Sequence, residues 1–171
     1  TPGISSAASD VYKRQALLLV KDFEGGYQKL PSDTGNYTYS GKLVGTNRGI
    51  SAKAFQDFFG YEPTENDMRN LTQAQANQVL DKNYWQKIKG SQILSQNLAN
   101  IIFDAYVNRP AQMRDLQQAM NELGSNLTVD GAIGPLSLAE INFYATTNPA
   151  SLYNTFKQYR INDYQQVANS N

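Results

Sequence analysis

The sequence predicts a mainly α-helical fold with one small β-hairpin and a C-terminal helical lobe. Apolar residues recur at three- and four-residue spacing along most of the 171 residues, the period of a helix buried on one face. Helix punctuation falls between these runs: Ser51, Thr72 with Gln75, Pro135 and Pro149 at starts, Gly60 and Gly124 at stops. Only residues 31–50 break the pattern, with Tyr, Thr and Gly in place of periodic aliphatics.

The first helix is expected from about Val11 to Glu24. Tyr12, Ala16, Leu19/Val20 and Phe23 share one face, and Gly25-Gly26 supplies the stop. In the next segment, Tyr37 and Tyr39 precede Ser40-Gly41 and Leu43-Val44 follow it, which reads as a short hairpin around a glycine turn. Ser51 caps a helix burying Ala54, Phe55, Phe58 and Phe59, which ends at Gly60. Thr72 and Gln75 form a capping box ahead of Val79, Leu80, Tyr84 and Trp85. The strongest period is Leu94, Leu98, Ile101, Ile102 and Ala105, flanked by Asn97, Asn100, Asp104 and Asn108. Pro110 opens a helix with Met113, Leu116, Met120 and Leu123, stopped by Gly124. Asn126 to Gly131 is a turn-rich connector into the Pro135 helix (Leu138, Ile141, Ala145). The last helix carries Leu152/Tyr153, Phe156, Arg160 and Tyr164 and should fray from Ala168. The domain reading is an unordered or expression-derived stretch over 1–10, a catalytic lobe over 11–109, and a helical lobe over 110–171 packed on the first.

Composition narrows the chemistry. With 40% apolar, 11% aromatic and 18% charged residues, the chain is expected to fold around a sizeable core. Fifteen basic and fifteen acidic residues cancel, so no broad basic field marks a nucleic-acid binder. Histidine and cysteine are absent, which removes Ser-His-Asp and Cys-His catalysis, the usual zinc sites and disulfides. Any catalysis must therefore run on carboxylates, Tyr, Lys or Ser. Leu17-Leu18-Leu19-Val20 is far short of the roughly 18 apolar residues of a membrane span. Residues 1–9 show no basic region ahead of a long apolar run, so no intact signal peptide is expected in this chain.

Glu24 is the leading catalytic candidate. It lies one turn beyond Val20, at the edge of the apolar helix face, and just ahead of Gly25-Gly26. Partial desolvation there disfavours the ionised carboxylate and raises its pKa, which is how a carboxyl group becomes a general acid. The plainer alternative is a solvated acid that happens to end a helix. Asp33 reads either as the base that activates water or as a turn residue beside Thr34-Gly35. Tyr27, Tyr37, Tyr39, Tyr84 and Trp85 are amphipathic rings that could stack on a ligand, although any single such ring is more often core or rim packing. Asp104 and Asn108, one turn apart, would either hydrogen-bond a ligand or hold the first helix.

A helix ending in a half-buried Glu, then a hairpin, then a helical body is the element order of lysozyme-like folds. The motifs go further. Glu24-Gly25-Gly26-Tyr27 resembles the E-G-G-Y motif of family 108 glycoside hydrolases, bacterial and phage N-acetylmuramidases sometimes labelled secretion activators. Thr46-Asn47-Arg48-Gly49-Ile50 resembles that family's T-N-x-G-I segment, Tyr84-Trp85 its Y-W pair, and Phe103-Asp104-x-x-Val107-Asn108 its F-D-x-x-V-N segment. Asp130-Gly131-Ala132-Ile133-Gly134-Pro135 resembles the D-G-x-I-G-P signature of the family's peptidoglycan-binding portion. Asp-Gly also makes a turn and Pro135 starts a helix whatever the ligand. One departure is plain: the family's Asp-Pro-Gly-Gly-like stretch is replaced by Pro31-Ser32-Asp33-Thr34-Gly35 and a longer Tyr/Thr segment.

The resemblance implies a lysozyme-like muramidase acting on the β-1,4 bonds of peptidoglycan, with Glu24 as acid and with Tyr27, Tyr37, Tyr39, Thr46, Asn47, Trp85, Asp104 and Asn108 as candidates to contact the sugar rings. It implies no metal and no organic cofactor, no nucleic-acid partner and no integral membrane segment. The protein would act as a monomer on the cell wall, whether periplasmic, extracellular or phage-delivered. The alternatives are the same machinery on another aminosugar polymer, or a silent wall-binding module.

Overall fold

The computed structural model describes residues 6–23 and 25–169. Glu24 lies outside the described residues, as do the side chains of Leu19, Val20 and Phe23, so their expected roles are not addressed by the fold. The chain packs as two units, one formed by residues 1–16 and 87–171 and the other by residues 17–86. The division does not coincide with the boundary expected at 109/110. Helix α1 (Ser6–Phe23) contributes residues to both units, and it starts earlier than the apolar period suggested.

In the unit of residues 17–86, three helices follow a long loop. Helix α2 (Ala52–Phe59) is capped by the Ser51 hydroxyl, which accepts from the Ala54 N–H, and it ends at Gly60 in the left-handed conformation. Ala54 and Phe55 are buried, whereas Phe58 and Phe59 are only half-buried, on a face shared with Tyr61. The short α3 (Glu65–Arg69) was not anticipated, although Thr64 and Asp67 form a full capping box. Helix α4 (Gln73–Leu80) starts at the expected Thr72–Gln75 box and widens into a π-turn over Asp81–Trp85. That turn carries Trp85 into the core, where it is 1% exposed.

No extended hairpin forms among residues 31–50. A 3-10 turn spans Thr34–Asn36, and the β element reduces to isolated bridges, Tyr37 with Leu43, Gln28 with Thr46 and Asn47 with Ile50. The reason is visible in the backbone bonds. The N–H groups of Val44 and Gly45 both donate to the Asn36 carbonyl, at 2.9 and 3.0 Å, so two residues oppose one and the ladder stops.

In the other unit, α5 (Gln96–Asn108) buries Leu98, Ile101, Ile102 and Ala105 as expected, while Leu94 precedes it and is half-buried. It packs against α6 (Gln112–Glu122) and α8 (Pro149–Asn169), and α7 (Pro135–Thr147) packs against α6 and α8. Met113, Leu116, Met120, Ile141, Leu152 and Phe156 are fully buried, so these helices share one core with α5. Helix α8 extends to Asn169. The Asp130-Gly131 turn is held by buried Gln117. Its amide nitrogen donates to Asp130 Oδ1 at 2.8 Å and to the Ala132 carbonyl, and its oxygen accepts from the Gly131 N–H at 2.7 Å. Gly134 and Pro135 then start α7. The motif is thus a turn-and-cap device in this fold. No helix among the described residues is long and apolar enough to cross a membrane.

Candidate active site

A cavity of about 340 Å³ opens in the unit of residues 17–86, immediately after position 24. It is lined by Gly25, Gly26, Tyr27, Asn47, Arg48, Arg69, Gln73 and Leu80. Among the described residues, a Cβ on Gly25 or Gly26 would meet no atom within 4 Å, so their backbone leaves room for a close-lying ligand.

Tyr27 is fixed at both ends. Its hydroxyl donates to the Val44 carbonyl at 3.0 Å, and the Arg69 guanidinium lies over its ring, 4.1 Å from the centroid. Its phenol is pushed up from the ordinary value, first by desolvation and then by the nearby Glu65 charge. Glu65 accepts from Lys29 at 2.5 Å and from Arg69 at 2.7 and 2.9 Å, which holds its carboxyl down at about 2. Gly45 is a glycine for a steric reason. At φ +94 a Cβ there would stand 2.6 Å from the Tyr27 ring and 2.7 Å from the Gln28 carbonyl oxygen.

Opposite this, Asn47 and Ile50 exchange both backbone hydrogen bonds around Arg48-Gly49, at 3.2 and 2.8 Å. Both central residues have positive φ, 52° and 75°, so this is a two-residue type I′ turn. Asn is the usual first residue of such a pair. Arg48 holds the left-handed conformation at a cost of about 1 kcal/mol or more. Its Nε donates to the Leu71 carbonyl at 2.9 Å and Nη1 to Gln73 Oε1 at 3.1 Å, which aims the guanidinium along the cavity wall. The Asn47 amide is spent on the carbonyls of Met68 and Arg69 at 2.8 and 3.2 Å, locking the turn to α3.

Asp33 sits outside the lining in a polar network centred on Gln28. The Gln28 amide nitrogen donates to Asp33 Oδ2 and to Thr46 Oγ1, both at 2.7 Å, and its oxygen accepts from Asn36 Nδ2 and the Leu30 N–H. Asp33 Oδ1 accepts from the Gly35 N–H at 2.9 Å and caps the 3-10 turn. The turn role is therefore realised, and two lone-pair directions of the carboxylate stay unassigned by these bonds. Thr46 faces the same network and not the cavity.

Other expected sugar contacts fall elsewhere. Tyr37 donates to the Pro31 carbonyl at 3.0 Å, and exposed Tyr39 donates to the Asp57 carboxylate at 3.1 Å, which is the main reason its phenol is raised. Neither lines the cavity. Trp85 is buried in the core and offers no face for stacking on a sugar, a correction to the expected role. Asp104 and Asn108 belong to the other unit. Asp104 accepts from Arg160 Nη2 at 2.7 Å, and Asn108 donates to Asp104 at 2.8 and 3.0 Å. The α5 contact to the first helix comes instead from Gln96, which donates to the Tyr12 carbonyl at 3.2 Å.

Of the expected site residues, the cavity therefore gathers Tyr27 and Asn47, and it adds Arg48, Arg69, Gln73 and Leu80. Arg48 lay within a recognised segment but its role was not legible. Gln28, Arg69 and Gln73 carry no local signal, because their partners lie far off in sequence.

Comparison with known proteins bears on the same region. The family model described as Glycosyl hydrolase 108 matches residues 17–109, more than half of the chain. No curated protein matches it. Among solved structures, that titled "Structure of Brucella abortus SagA" is similar, with a TM-score of 0.73 at 23% identity, covering 91% of this chain and 81% of that one. At that identity the likeness concerns the fold, and it agrees with the lysozyme-like, mainly helical architecture expected from the sequence. With the family match spanning the segment that holds the cavity, the chain belongs to the glycosyl hydrolase 108 family.

Proposed function

We propose that the protein is an N-acetylmuramidase that hydrolyses the β-1,4 glycosidic bonds of peptidoglycan glycan strands, acting on the cell wall as a monomer. Glu24 is the general acid. The observation that carries this reading is the cavity whose wall begins at Gly25-Gly26, the two residues after Glu24, inside the segment matched by the family. Glu24 directly precedes those two glycines in the sequence, and as general acid it would deliver a proton to the leaving oxygen, the step that glycoside hydrolysis requires. Tyr27 and Gln73 would form the wall against which a sugar ring lies, as an aromatic face and an amide commonly do.

Asp33 is proposed as the group that activates water. Its two hydrogen bonds set the orientation of the carboxylate, which a general base needs. The network on Gln28 makes Asp33 a positioned group instead of a loose loop acid.

Mass spectrometry of digested, purified peptidoglycan tests bond and activity together. A muramidase leaves muramic acid at the new reducing end, whereas a glucosamine end refutes this specificity, and an uncleared suspension refutes hydrolysis. Glu24→Gln is expected to lower turnover by ~10²-fold or more with the fold intact. Asp33→Asn is expected to lower turnover while wall binding stays close to wild type. Near-normal turnover of either folded variant removes that residue from its role.

A further inference from the structure

The cavity carries two guanidinium groups that glycosidic chemistry does not itself need. Arg48 and Arg69 line it together, the first from the type I′ turn and the second from α3. Arg69 is already engaged by Glu65 and stacked on Tyr27. Arg48 is exposed, and among the described residues its donors go to a carbonyl and an amide oxygen, with no ion pair to a carboxylate. The turn would be relieved by Asn at this position, yet an arginine is held there in a left-handed backbone with its fork braced by Leu71 and Gln73. Strain retained at a cavity wall points to a ligand-directed role. A planar fork of donors matches a carboxylate, which it binds with two parallel hydrogen bonds.

We propose that Arg48, with Arg69 beside it, binds a carboxylate carried by the glycan substrate, and so selects acidic muramoyl strands over neutral aminosugar polymers. The inference rests on the proposed action on peptidoglycan. That polymer offers two such groups in the same chemistry: the lactyl carboxylate of muramic acid once the stem is removed, and the carboxylates of the stem peptide. A neutral polymer of N-acetylglucosamine offers none.

The test uses three wall preparations: intact peptidoglycan, glycan stripped of stems by an amidase, and either one with its carboxyl groups capped as methylamides. Wild type and Arg48→Asn are compared on each. The variant is expected to fold with a melting temperature no more than a few degrees from wild type, because Asn-Gly suits the turn. On uncapped wall its kcat/KM should fall about 10-fold, mostly through KM, as expected for losing a charged hydrogen bond made in ground and transition states alike. On capped wall the wild type should drop to the level of the variant, closing the gap. A gap that persists on stripped glycan assigns the lactyl group, and one seen only on intact wall assigns the stem peptide.

Wild type cleaving capped and uncapped wall equally well overturns the proposal. So does a variant that loses the same factor on both, which would mean that Arg48 acts on Glu24 or on the turn itself. If no preparation is cleaved, the hydrolase reading fails separately. Equilibrium binding of both proteins to the same preparations then decides the inference: tighter wild-type binding to uncapped wall, lost in Arg48→Asn, upholds it, and equal binding refutes it.

Discussion

Replacing Gly45 with alanine should destabilise the protein by about 3 kcal/mol, within a range of roughly 2–5, and weaken activity at the same time. Two costs add. Alanine at φ +94 pays about 1–2 kcal/mol for a conformation that a Cβ disfavours. The new Cβ also lands 2.6 and 2.8 Å from the Tyr27 ring and 2.7 Å from the Gln28 carbonyl, closer than real carbon contacts. The carbonyl accepts from the Thr46 N–H at 2.9 Å and is not free to retreat, so overpacking adds about 1–3 kcal/mol. Gly41→Ala supplies the control. Its φ is +85 with nothing within 4 Å, so only the conformational cost of about 1–2 kcal/mol applies. The assay is thermal and urea unfolding followed by tryptophan fluorescence. Trp85 is the single tryptophan, it is buried, and it lies in the same unit as Gly45. At about 2–4 °C per kcal/mol for a chain of this size, Gly45→Ala should melt about 6–12 °C below wild type. A Gly45→Ala stability equal to that of Gly41→Ala would refute the claim that Tyr27 and Gln28 press on this position.

Cutting the chain after Arg109 should yield an insoluble fragment, because α5 loses α6 and α8, on which it packs, and Leu98, Ile102 and Phe103 are left uncovered; a soluble, cooperatively melting 1–109 would refute the shared core. Glu62 should make the protein acid-sensitive. Hydrogen bonds from Lys42 first, then Ser40 and Thr38, hold its carboxyl at about 2 against an ordinary 4.5. A depressed carboxylate stabilises fully above its unfolded value, and that contribution fades as pH falls from about 4.5 towards 2. Glu62→Gln should therefore show a flatter stability curve than wild type in melts between pH 5 and 2. Glu65, held equally low by Lys29 and Arg69, leaves a residual slope in the same window. Identical slopes for the two proteins would sink this account of Glu62.

The helix starts and stops were legible where their chemistry is local. Ser51 reaches the Ala54 N–H, Thr72 and Gln75 cap each other, Gly60 turns left-handed, and Pro135 opens α7, each within a few residues of the element it bounds. The same box at Thr64 and Asp67 was present in the sequence and passed over, since five residues leave too short an apolar period to notice. The hairpin around Ser40-Gly41 is shorter than its residue types suggest: it pairs Tyr37 with Leu43 and goes no further. Tyr and Thr favour strands, but Val44 and Gly45 converge on one Asn36 carbonyl and Asp33 tightens the chain into a 3-10 turn, so tertiary bonds override the propensity.

By itself the sequence determined the helical class, the family, the absence of histidine and cysteine chemistry, and the place of Glu24 ahead of two glycines. These rest on residue identity and on interactions a few positions apart, which any reading of the chain retains. Only the tertiary structure decided which side chains meet. Tyr27 and Arg69 stack across 42 positions in sequence, Arg48 and Gln73 across 25, and the Gln28 amide joins residues 33, 36 and 46. It also sent Trp85 inward and tied Asp104 to Arg160. Burial and partner choice depend on how distant segments pack, and packing is non-directional along the chain, so no local pattern encodes it.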